Sequence, residues 1–95
     1  MNIKITGKEL KATDSIKNYI EKKCERLVKY FGEDFDVQAT IKTEGKDQVA
    51  EMHVNTTNGV FRAVTGSKDL YASIDKNIDI VEGQIRKMKT KKDKQ

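Results

Sequence analysis

The chain has 95 residues, 36% of them hydrophobic and 36% charged, with one cysteine, one histidine and a net charge of +4. That length supports one domain with one modest core, no apolar run approaches the roughly 20 residues of a membrane helix, and "MNIKITGKEL" lacks the apolar stretch of a secretory signal. A lone cysteine forms no internal disulfide and, beside one histidine, no zinc site, so a reducing, cytoplasmic setting without metal or cofactor is expected.

"NIKIT" alternates Ile3 and Ile5 with Lys4 and Thr6, which predicts a short half-buried strand ending at Gly7. Thr13 is placed to cap a helix over "DSIKNYIEKKCERLVKYFG", where Ile16, Ile20, Cys24, Leu27 and Phe31 recur at helical spacing until Gly32. "FDVQATIKT" sets Phe35, Val37, Ala39 and Ile41 on one face. "EGKD" returns the chain into "QVAEMHVN", and "TTNG" turns it again into "VFRAVT", with Gly66 as the expected end. Connections this short predict an antiparallel meander. From Asp69 the period becomes helical once more, through Leu70, Ile74, Ile78, Val81, Ile85 and Met88. The fold class is therefore α+β, in the order β-α-β-β-β-α: a four-stranded sheet with two helices packed on one face. Ile20, Leu27, Ile74, Val81 and Ile85 belong to the expected core.

Little in the chain suits catalysis, and the protein reads as a non-enzyme. His53 falls mid-strand on the solvent face with no cysteine or acid at ligand spacing, an ordinary surface histidine. Cys24 lies in the apolar stripe and reads as a small hydrophobe. Asp75, Asp79 and Glu82 share a helical face, and a solvated acidic face is expected there rather than a cation site.

Charge distribution says more. Residues 85–95 carry six basic side chains against Asp93 alone, whereas residues 1–84 carry 13 basic and 14 acidic ones. On the first helix Lys22, Arg26 and Lys29 fall about opposite the apolar stripe, with Lys23 at the border, and are expected to point to solvent. They are expected to be removable without loss of fold. With Arg86, Lys87 and Lys89 on the second helix they can converge into one extended basic patch suited to nucleic-acid backbone, the alternative being that each is only a solvated helix surface. Aromatic residues are few and mostly in core positions, which argues against base-specific readout.

"EKKCERLVKYF" and "KDLYASIDKNIDIVEGQIRKMKTKK", with "ITGKEL" and "TDSIKNYI" upstream, resemble the ribosome hibernation-promoting factor family, also called ribosome-associated inhibitor or protein Y. The resemblance implies the same β-α-β-β-β-α fold. It also implies a partner, the small ribosomal subunit and its rRNA near the decoding A and P sites, and inhibition of translation in stationary phase or stress. Carried over by position, the RNA-binding residues are Lys22, Lys23, Arg26 and Lys29 on the first helix and Arg86, Lys87 and Lys89 on the second, extended by Lys91 and Lys92. Ile80 and Gly83 stand where the family usually has basic residues. By its length the chain matches the short form or the N-terminal domain of a long form. Residues 1–90 would then be a single ribosome-binding domain and 91–95 a basic tail, in a monomer unless a dimerisation domain follows. A rival reading is a protein-binding regulator of transcription of the sigma-factor modulation type, which needs an exposed apolar anchor.

Overall fold

Alternating side chains account for all four strands of the structure, a computed structural model that describes the backbone of residues 1–93 and the side chains as far as Met88. Strands β1 (Asn2–Lys8), β2 (Phe35–Glu44), β3 (Asp47–Thr56) and β4 (Gly59–Ser67) form one sheet in the order β1-β2-β3-β4. The β2-β3-β4 meander is antiparallel, as the short turns require, with Val37 opposite Val54 and Val54 opposite Phe61. β1 instead lies parallel to β2, with Ile3 beside Val37 and Ile5 beside Ala39. A parallel neighbour needs a crossover connection, and the first helical segment supplies it.

That segment is not one continuous helix. It runs as α1 (Asp14–Cys24), a 3-10 turn (Glu25–Leu27) and α2 (Val28–Phe31). Thr13 caps α1, its hydroxyl accepting from the Ile16 amide at 3.3 Å, and Gly32 ends α2 at φ +62°. Cys24 and Leu27, three apart, both stay fully buried on one side through the 3-10 turn.

Two glycines do not stop their strands as expected. β1 continues past Gly7 to Lys8, and β4 continues past Gly66 to Ser67. At Gly7 the returning chain lies so close that a Cβ would overlap the Leu10 carbonyl oxygen. Gly66 packs against Val49 from the neighbouring strand. Both mark close approach rather than termination.

The second helix, α3, spans Leu70–Asp93. Its stripe lies on the sheet face that α1 covers, and Ile20, Leu27, Ile74, Ile78, Val81 and Ile85 are all fully buried with Ile41 and Val54. Polar residues share this packing: the Thr65 hydroxyl sits 2.6 Å from the Ser73 carbonyl and 2.8 Å from the Asn77 side-chain amide. Further along, Gln84 Nε2 donates to the Arg62 carbonyl at 3.1 Å, over the outer rim of β4. No helix among the described residues is long and apolar enough to cross a membrane.

Candidate nucleic-acid interface

α1 and α3 lie side by side and run in the same direction, so their side chains meet in step. Lys23 Nζ is 3.4 Å from Asp75, Arg26 Nη2 is 3.3 Å from Asp79, and Lys29 Nζ is 3.3 Å from Glu82. Arg26 Nη2 also contacts the second oxygen of Glu82. Arg26 and Lys29 of the basic stripe therefore do not point freely to solvent, and the acidic face is not merely solvated: with Lys23 they are its partners. Periodicity fixes a residue's angle on its own helix but not where the neighbouring helix stands, and long Lys and Arg stems reach sideways.

Glu82 is the centre of the group, only 4% exposed. Tyr30 donates its hydroxyl to Glu82 at 3.0 Å and accepts from Arg86 Nε at 3.1 Å, while Arg86 Nη2 is 3.8 Å from Glu82 itself. Burial alone would raise the Glu82 carboxyl; hydrogen bonds from Arg26, Tyr30 and Lys29 outweigh it and hold the group at about 2. The same bond to Glu82 raises Arg26, and the Tyr30 hydroxyl raises Arg86. At the other end, Tyr19 donates to Asp75 at 2.7 Å, which together with burial pushes its phenol to about 12. Tyr71 meets the Tyr19 ring edge to face at 4.8 Å.

Of the predicted contact residues, Lys23, Arg26, Lys29 and Arg86 are thus brought together around three carboxylates. Lys29 and Arg86 still expose 59% and 64% of their side chains, enough to meet an outside anion. Lys22 and Lys87 are exposed and take no ion-pair partner among the described residues. The side chains of Lys89, Lys91 and Lys92 lie outside the described residues. Arg26 departs from expectation in one further way. Because it neutralises a buried carboxylate, removing it leaves Glu82 short of a partner, so it is not a dispensable surface charge.

Elsewhere the structure is plainer. Burial, with Glu21 nearby, pushes the Cys24 thiol up to about 12, so it stays protonated and inert. His53 does have an acid beside it: Nε2 is 3.4 Å from Glu51, two residues away on the same strand face, and Arg62 reaches the same oxygen at 3.3 Å. Residues at i and i+2 share a strand face, a spacing the sequence reading overlooked. Among the described residues no group of three or more His, Cys, Asp or Glu is placed to hold a metal ion.

The ribosome hibernation promotion factor of Deinococcus radiodurans is 33% identical over 97 residues, covering 96% of this chain and 50% of that protein. The ribosome hibernation promoting factor of Acidithiobacillus ferridurans is 40% identical over 78 residues, covering 79% of this chain and 100% of the relative. The chain thus spans about half the length of the Deinococcus protein and the whole of the Acidithiobacillus one. The crystal structure of the N-terminal domain of Thermus thermophilus Protein Y superposes with a TM-score of 0.86 at 36% identity, over 93% of this chain and 99% of that one. Residues 3–93 match the model of a single family, and the chain belongs to it: Sigma 54 modulation protein / S30EA ribosomal protein.

Proposed function

We propose that this chain is a ribosome hibernation factor, acting in the cytoplasm without catalysis. It binds the rRNA of the small ribosomal subunit near the decoding A and P sites and inhibits translation in stationary phase or stress. Support comes from relatives that carry the hibernation name and from one observation above all. Cations from two helices gather on one exposed side of the domain, with Lys22 and Lys87 unpaired among the described residues and Lys29 and Arg86 more than half exposed. Such a surface follows phosphate backbone by Coulomb attraction and counterion release. Lys89, Lys91 and Lys92 extend the same proposed contact set.

The family description also names sigma-54 modulation, a protein-binding role. The exposed large apolar residues do not form an anchor for it. Val60 and Val64 alternate with buried Phe61 and Ala63, so they face the side of the sheet away from α3, which carries Ile80 and Tyr71. Scattered singly, they do not make a docking patch.

The test uses the double change Lys22→Gln and Lys87→Gln, which leaves the ion-pair group intact. Binding to purified small subunits should weaken, and the slope of log affinity against log salt should become shallower by roughly one unit per lost phosphate contact. Stability should stay within about 0.5 kcal/mol of the parent. Salt-insensitive binding by the parent, or a double variant that binds like it, would remove the phosphate-contact reading.

A further inference from the structure

A carboxylate in the middle of a phosphate-binding surface looks misplaced, since it repels the ligand and costs desolvation when buried. Glu82 nevertheless touches Arg26, Lys29, Tyr30 and Arg86 at once. We infer that Glu82 is a positioning residue of the RNA-binding surface. Its carboxylate, sunk between the helices, fixes Arg26 and Lys29 directly and Arg86 through the Tyr30 hydroxyl, so that their exposed ends stand ready for phosphate. This rests on the proposed ribosome-binding reading and deepens it.

The geometry favours orientation over mere neutralisation. Arg26 engages both Asp79 and Glu82 through the single nitrogen Nη2. Tyr30 is a relay: its one hydroxyl gives its proton to Glu82 and receives the Arg86 Nε–H on its lone pair. Flexible Lys and Arg side chains lose conformational freedom on binding, and a surface that has already ordered them loses less. Asp79 differs from its neighbour on the same helix. It is 67% exposed and reaches only Arg26 among the ion pairs of the described residues, so it can neutralise but hardly orient.

Orientation and neutralisation predict opposite signs. Glu82→Gln and Asp79→Asn each remove one negative charge beside the patch. If the acids only cancel charge, both variants bind small ribosomal subunits more tightly. Under the inference Asp79→Asn tightens binding about twofold, by simple electrostatics. Glu82→Gln weakens it about tenfold despite the gain in positive charge, because Arg26, Lys29 and Arg86 lose their common anchor. Tyr30→Phe changes no charge, keeps the ring and removes the hydroxyl that links Glu82 to Arg86, and should weaken binding about threefold with only a modest drop in melting temperature, since Glu82 keeps Arg26 and Lys29. It carries the test if Glu82→Gln fails to fold.

The measurement is equilibrium co-sedimentation with purified small subunits, with circular dichroism of each variant. Tighter binding by Glu82→Gln, or a Tyr30→Phe protein that binds like the parent, overturns the inference while leaving ribosome binding in place. A folded parent that does not bind subunits at all sinks the ribosome reading, and the positioning role falls with it.

Discussion

Ile78→Asp should leave the chain without a cooperative unfolding transition. Ile78 is fully buried on α3 against the sheet, in the same cluster as Ile20, Ile41 and Val54. The change deletes most of an apolar side chain, at about 2–4 kcal/mol for a core truncation. It also brings a carboxyl into a site lined by aliphatic carbon, where ionisation costs several kcal/mol more or forces the group to take up a proton. Against the roughly 5–15 kcal/mol that holds a small domain together, that sum is decisive. Urea titration followed by circular dichroism at 222 nm reads it directly. A sigmoidal transition within about 1 kcal/mol of the parent would mean α3 does not pack as described.

Acid should also destabilise the fold, and Glu82 sets the window. Above an ordinary carboxyl value near 4.5, both the folded and the unfolded chain keep Glu82 ionised, so its ion pairs contribute in full. As pH falls from about 4.5 towards 2, the unfolded chain takes up a proton that the folded chain still refuses, and stability drops. The interval between those two values corresponds to about 3 kcal/mol, lost progressively as the folded carboxyl finally protonates. Glu51 acts in the same sense, held below the usual range by His53 first, against the cost of its burial, and then by Arg62. Urea midpoints measured at about pH 6 and about pH 3 should differ strongly for the parent and much less for Glu82→Gln. Equal pH dependence of the two proteins would show that the carboxylate is not held by its neighbours.

What the sequence revealed and what it withheld divide along a physical line. Period-two alternation in "FDVQATIKT" and the helical recurrence from Leu70 to Ile85 each depend on one element and one core, so they could be read locally. The acid–base group could not. Lys23 and Asp75, or Arg26 and Glu82, are more than fifty residues apart and belong to separate helices. Only the packing of those helices on the sheet sets which rung meets which. The matching spacing of bases on the first helical segment and acids on α3 was visible, and its meaning required the two to run in the same direction. Likewise the 3-10 turn at Glu25–Leu27 was not legible, because an amphipathic helix tolerates the three-residue step from Cys24 to Leu27 equally well. Gly7 and Gly66 misled because a glycine that ends a strand and one that lets another backbone come close look alike in one dimension.

The Gln84 amide over the rim of β4 has a consequence for colonies of this protein rather than for single molecules. β4 is a border strand carrying Val60 and Val64 outward, β-branched residues that favour extended stacking. An incoming chain that sought to extend the sheet would need the Arg62 carbonyl, and Gln84 already holds it. The intruder would also meet the Arg62 charge on the same strand. Crowded copies are thereby steered away from stacking into fibrils along that border.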